Sequence, residues 1–360
     1  MNNKSNWVSR DLRTNESWVY ELGKNDIDEI HNAIKKTKDL PFKNINRYNF
    51  KLPFLSIKIN QMKEHLIHGN GVVLIRNFPV DCYNDLDAMR GYVGLIQHVG
   101  NLRMQPGNVM TTRVTDMQTL SMAPTKYGKR HGFNNDYQDP HTDNCDLVSL
   151  LCYNTSFSGG GTFFASSKTI VDNMSDKERE YLTFFFPHNR RGAILKNENP
   201  WYFLPVLQQY QDNTIVSFNS KLIHSAIDTY DMCPRVPDPY LNALEKFKTL
   251  AKDPEICYKT FFNPGDIQIL NNLKCVHGRE SYVDRELKVR HLMRLWISPV
   301  EAIPVPQCYS THWESLEPGS RGGSRGYLSQ QHKMDTLLFP SLDTQFLNFD
   351  YVKNTNTIII

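Results

Sequence analysis

An imidazole and a carboxylate stand two residues apart in the stretch Asp139-Pro140-His141-Thr142-Asp143. Pro140 discourages a helix there. In an extended chain residues i and i+2 point to one face, so His141 and Asp143 can reach one point together. They supply two of the three donors of a 2-His-1-carboxylate site, which grips a non-haem Fe(II) on one side and leaves the other side open. The pair alone carries little weight. In a chain of 360 residues with 12 histidines, chance supplies about one His-x-Asp, and a strand histidine bonded to a nearby aspartate would look the same.

The third donor must arrive on another strand. His277 fits by context: it follows the apolar pair Cys275-Val276, and Gly278 beside it lets a neighbouring strand come close. His188 reads as part of a cationic turn, Pro187-His188-Asn189-Arg190-Arg191, His224 as a satisfied core histidine, and His98 as the end of a helix. Iron chemistry of this type also takes 2-oxoglutarate, which chelates the metal at one end and leaves a far carboxylate for the protein to grip. The forked guanidinium of arginine suits that carboxylate, because it can make two parallel hydrogen bonds. Arg290 follows His277 on the next strand, and Arg294, four residues on, shares its face. His312-Trp313-Glu314 is a rival His-x-carboxylate, but no arginine follows the one later histidine, His332.

In this order the residues resemble the taurine dioxygenase (TauD/TfdA) family of Fe(II)- and 2-oxoglutarate-dependent oxygenases. The resemblance rests on His141-Thr142-Asp143, the turn Gly160-Gly161-Thr162, the run Asn272 to His277-Gly278-Arg279, and Arg290 to Arg294, and it covers roughly residues 69–298. It implies iron held by His141, Asp143 and His277. It also implies that Thr162 and Arg290 hold the far carboxylate of 2-oxoglutarate, with Arg294 near the chelating end or an anionic group of the substrate. Two departures stand out. No acidic residue precedes Thr162, and Leu270-Asn271-Asn272 replaces the more usual Trp-Asp-Asn. Arg279 and Arg285 read as structural.

These side chains need a scaffold of short strands. Val72–Arg76, Leu147–Tyr153, Thr162–Ser166, Ile267–Leu270 and Arg290–Ile297 are β-branched or apolar runs closed by Gly, Pro or Asn turns. Helical periodicity appears over 26–37, 56–68, 84–98 and 237–252, and Ser175-x-x-Glu178 has the form of a capping box. Residues 193–217 suggest a hairpin or two. The segment 123–138, with Lys126, Lys129, Arg130 and His131, has no period and reads as a substrate lid. Tyr127 and Tyr137 are candidates to line the pocket. The sum is a mainly β protein with flanking helices, built on a double-stranded β-helix (jelly-roll) core. It reads as one domain over 1–360: a helical lead-in to residue 68, a motif-bearing core over about 69–298, and a Pro/Gly-rich extension over 299–360.

Composition narrows the function. A net charge of +3 with no long run of Lys or Arg argues against nucleic acid. Seven cysteines without a C-x-x-C pair read as reduced thiols. No apolar run is long enough to span a bilayer, and the first residues lack the apolar centre of a signal peptide, so a cytoplasmic enzyme is expected. The expected oxidoreductase uses Fe(II), 2-oxoglutarate and O2 to hydroxylate an unactivated C–H bond of a small-molecule substrate, an amino acid or small organic acid, releasing succinate and CO2. Homo-oligomerisation is compatible with the sequence. Because Asp143 occupies the position that related halogenases leave to chloride, hydroxylation is expected over chlorination. The alternatives are a non-catalytic jelly-roll binding protein and a cupin-type metal enzyme without 2-oxoglutarate, which would leave Arg290 without a role.

Overall fold

The structure, a computed structural model, describes residues 5–105, 110–116, 134–191, 197–285 and 289–323. Two sheets face each other. The larger runs in the order Val19–Glu21, Val72–Arg76, Ile267–Asn271, Leu147–Asn154 and His291–Ser298, and both Asn101–Arg103 and Thr111–Val114 pair along the outer edge of the last strand. The smaller has the order Tyr258–Thr260, Thr162–Ser166, Cys275–Arg279 and Gln138–His141. Apart from the first pair of the larger sheet, neighbouring strands are antiparallel. This is the double-stranded β-helix expected from the turn-punctuated strands.

The larger sheet is buried on both faces, which is why its strands read as continuous apolar runs rather than alternating ones. Alternation still sorts the side chains. Val73, Ile75, Ile267, Ile269, Met293, Leu295 and Ile297 join the core under the N-terminal helices. Val72, Leu74, Leu270, Leu292 and Trp296 point the other way, into the space between the sheets. Each such fully buried Leu or Ile is worth roughly 1.5–3 kcal/mol. The same period sends Gln268 and Arg294 into the intersheet space, where the candidate chemistry lies.

The helices fall close to their expected positions: Lys24–Thr37, Leu55–Ile67, Asp85–Ile96 and Asp238–Leu250. Asn84 caps the third by accepting from Asp87 N at 2.9 Å. Ser175 and Glu178 close the capping box ahead of Asp176–Leu182. Between the paired strands Thr162–Ser166 and Tyr258–Thr260 the chain inserts helices and two hairpins, Phe185–Asn189 with Trp201–Pro205 and Leu207–Tyr210 with Asn213–Val216. This insertion carries its own core around Phe186, Phe218, Leu244 and Phe247. Most of the expected lid over 123–138, namely 123–133 with Lys126, Tyr127, Lys129, Arg130 and His131, lies outside the described residues. Among the described residues, no helix is long and apolar enough to cross a membrane.

Candidate functional site

The strands Gln138–His141 and Cys275–Arg279 are antiparallel neighbours, and His141 and His277 are direct partners in register. Their rings lie 4.5 Å apart, centroid to centroid. This closeness depends on Gly278. A Cβ there would meet the Gln138 carbonyl oxygen at 2.5 Å and the Phe163 ring at 2.3 Å, so a side chain would push the strands apart.

Asp143 follows two residues later, beyond the end of its strand. Other bonds hold it. Its N–H donates to Asn272 Oδ1 at 2.9 Å, and its carboxylate accepts from Trp296 Nε1 at 3.1 Å and Arg294 Nη1 at 3.2 Å. Arg294 is steadied in turn by Gln105 Oε1 at 2.8 Å. The alternation that puts Arg294 on the inner face also puts Trp296 there, a signal present in the sequence but unused.

One nitrogen or carboxylate oxygen from each of His141, Asp143 and His277 can be chosen so that all lie within 4.8 Å of one another. The donor chemistry suits a cation. His141 donates from Nδ1 to the Asp139 carbonyl at 2.9 Å, leaving the Nε2 lone pair 3.9 Å from Asp143 Oδ1. Burial lowers the His141 pKa, and burial with the neighbouring His141 takes His277 down to about 3, so both rings are neutral. Burial pushes Asp143 up, but its charged and hydrogen-bonding neighbours, Arg294 first, outweigh it and hold the carboxyl below its usual value. His277 Nδ1 is buried with no hydrogen-bond partner among the described residues. Two neutral imidazoles, an ionised carboxylate and a buried unpaired nitrogen fit a divalent metal, whose ligands must be deprotonated.

The three residues open into a cavity of about 240 Å³ that also reaches Thr162, Arg279, Arg290 and Arg294. Arg290 is buried, its Nη1 has no partner among the described residues, and its pKa falls to about 10 through burial and the charge of Arg279. Gly160, at φ +75°, places its backbone against the Arg290 side chain: an added Cβ would sit 3.3 Å from Arg290 Cδ and Nε. The Thr162 hydroxyl lies 3.5 Å from Gln268 Oε1 on the facing sheet. A buried guanidinium with a free Nη1 among the described residues fits a carboxylate. Arg294 lines the same cavity with its Nη1 3.2 Å from Asp143 Oδ2, beside the metal cluster.

Arg279 lines the cavity; its Nη2 binds the Asn134 and Asp136 carbonyls, and its Nη1 is buried without a hydrogen-bond partner among the described residues. Arg285 packs over Phe157 at the surface. His188 is in a strand rather than a turn, buried and lining the cavity; His312, set aside as a ligand, lines it too. His224 is no core residue: its half-exposed ring lies on the helix Ser220–Thr229, 3.8 Å from Glu245. Tyr137 stacks on Phe163. His98 is structural, its Nε2 2.7 Å from the Phe50 carbonyl.

The model of the TauD, TfdA family of taurine catabolism dioxygenases matches residues 36–296. The chain is 26% identical over 317 residues to the taurine hydroxylase-like protein SAT17 of Stachybotrys chartarum, spanning 82% of this chain and 79% of that protein. It is 24% identical over 321 residues to FR-33289 synthase of Streptomyces rubellomurinus, spanning 86% and 93%. Among solved structures, asparagine oxygenase in complex with Fe(II), 2S,3S-3-hydroxyasparagine and succinate shares the fold, with TM-score 0.61, 14% identity, and 78% and 93% of the two chains covered. The non-heme iron oxygenase OrfP with Fe and alpha-ketoglutaric acid aligns with TM-score 0.57 at 11% identity, over 78% and 93%. The chain belongs to the TauD/TfdA dioxygenase family, whose oxygenase chemistry uses Fe(II), 2-oxoglutarate and O2.

Proposed function

We propose that this chain hydroxylates an unactivated C–H bond of an amino acid or small organic acid, with 2-oxoglutarate converted to succinate and CO2. One observation carries the reading: a buried His141, Asp143 and His277 cluster shares its cavity with the buried guanidinium of Arg290, whose Nη1 has no hydrogen-bond partner among the described residues. His141, Asp143 and His277 hold Fe(II), which when bound supplies the O2-dependent redox chemistry that side chains lack. Arg290 and Thr162 take the far carboxylate of 2-oxoglutarate. Asn272, Trp296 and Arg294 fix Asp143, and outer-shell bonds of this kind orient a ligand and tune its basicity. The cavity walls orient the substrate and limit bulk water. With Asp143 in a ligand position, hydroxylation is the expected outcome rather than chlorination.

The relatives named for asparagine, hydroxy-arginine and taurine chemistry support the substrate class. In this reading the chain acts as one domain in the cytoplasm, on a small molecule and not on nucleic acid. The test is aerobic incubation with Fe(II), 2-oxoglutarate and a screen of amino acids and small acids, read as stimulated succinate release. Asp143→Ala should release none. A folded wild-type protein whose 2-oxoglutarate is never consumed, with or without the screened compounds, would sink the proposal.

A further inference from the structure

The cavity has a second end, walled by residues outside the metal cluster. Three rings stack there: His188 on Tyr202 with centroids 5.1 Å apart, and Tyr202 on His312 at 4.7 Å and within 3° of parallel. His188 and Tyr202 face each other across the hairpin. His312 comes from the segment after Pro299, beyond the residues 36–296 that the family model matches. That segment is fastened behind Asp143. Arg321, fully buried, donates from Nε to Asp146 at 2.7 Å, and Gly323 N donates to the Asn144 carbonyl at 2.9 Å.

Two facts define what this end accepts. His188 donates from Nδ1 to the Phe186 carbonyl at 2.9 Å, which fixes its tautomer, and burial pushes its pKa down to about 4, so the ring is neutral. Its Nε2 is therefore a lone-pair acceptor, buried and without a partner among the described residues. Such an atom asks for an N–H or O–H from the ligand. The second fact is charge. Arg190, Arg191, Lys221, Arg279, Arg290 and Arg294 line the cavity against Asp139 and Asp143, with Glu198 pairing Arg190 at 3.3 Å as a third carboxylate. Asp116, Asp136 and Asp284 also act on Arg279 and Arg290, and Fe(II) and the 2-oxoglutarate dianion cancel, so it is among the described lining residues that cations outnumber carboxylates and favour an anionic ligand. Arg190 lies over Tyr202, at the stacked end.

We propose that the end of the cavity walled by His188, Tyr202, Arg190 and His312 selects the substrate, and that it takes a small acid bearing an N–H or O–H donor. The anionic group faces Arg190 and the donor meets His188 Nε2. The C-terminal extension, through His312, is then part of the recognition surface. This assignment rests on the iron and 2-oxoglutarate reading above.

The test uses full-length protein with Fe(II) and 2-oxoglutarate under anaerobic conditions, where the metal-to-cosubstrate absorption band forms in the visible. The probes are α-amino acids, the matching α-hydroxy acids, the matching unsubstituted acids and the matching amines, each scored by its shift of that band. The best binder should be an amino or hydroxy acid, with its unsubstituted acid at least about tenfold weaker and the amine not binding. His188→Phe keeps a stacking ring and removes the acceptor, so the ratio between the two acids should fall to near one while the band still forms. His312→Phe should keep the ratio, and His312→Ala should weaken all acids together. The assignment is overturned if the band forms and no acid shifts it, if an amine binds best, or if His188→Phe leaves the ratio unchanged. A wild-type band that never forms refutes the underlying iron and 2-oxoglutarate reading instead.

Discussion

Replacing Arg290 by Met should loosen the cosubstrate and tighten the empty protein at once. The guanidinium is buried and its pKa drops below its ordinary value to about 10, through burial first and Arg279 second. At about 1.4 kcal/mol per pH unit, holding that charge in the folded chain without an anion costs about 3 kcal/mol. Methionine fills much of the same space without the charge. It gives up the contact with the Tyr282 ring at 5.2 Å, worth about 1 kcal/mol, so the metal-free, cosubstrate-free protein should gain about 2 kcal/mol, a few degrees in melting temperature. The far carboxylate of 2-oxoglutarate meanwhile loses two charge-assisted hydrogen bonds at ~1.5–3 kcal/mol each, so affinity should fall by ~10²–10⁴. Thermal melts of the empty protein and anaerobic 2-oxoglutarate titrations of the Fe(II) form read the two effects separately. Unchanged affinity, or a clearly lower melting temperature in Arg290→Met, would refute the reasoning.

Asn272→Ala removes the acceptor of the Asp143 N–H and should weaken Fe(II) binding about 10- to 100-fold in an anaerobic metal titration; equal affinity would leave Asn272 without the assigned role. Arg321→Met strands the buried Asp146 carboxyl, which burial already pushes up to about 6, so urea unfolding should show a loss of about 3–5 kcal/mol, largely restored by adding Asp146→Asn. His188 makes stability depend on acid. Its folded pKa of about 4 lies below the ordinary 6.5, so the unfolded chain takes the proton first, and stability falls as pH drops from about 6.5 and levels off below about 4. That contribution reaches about 3 kcal/mol, and urea midpoints of His188→Phe should show a correspondingly shallower fall over that window, against a background set by Arg190, His312 and the other groups near this end.

The strands were legible because each is an apolar run bounded by turn residues, and Gly278 because a close strand approach demands it. The pairing of His141 with His277 followed from strand geometry and from family resemblance together. Less legible was how Asp143 is held. Strand alternation pointed to the right neighbourhood, but the strand ends at His141, and the side chains of Asn272, Trp296 and Arg294 do the holding across more than a hundred residues of sequence. The far end of the cavity was least legible. Pro187-His188-Asn189 reads as a turn from its residues, yet a cross-strand partner at Tyr202 turns it into a strand. His312 becomes a wall residue only because Arg321 and Gly323 tie its segment to the loop at 144–146, a tertiary closure that local pattern does not encode.

The central claim is that His141, Asp143 and His277 hold one iron. Anaerobic equilibrium dialysis of Fe(II) against the full-length protein and His277→Ala, with metal and protein quantified on both, tests it most directly. One Fe(II) per wild-type chain, and essentially none on a folded His277→Ala at the same free metal, is the predicted result; equal loading of the two proteins, or no iron on the wild type, would contradict it.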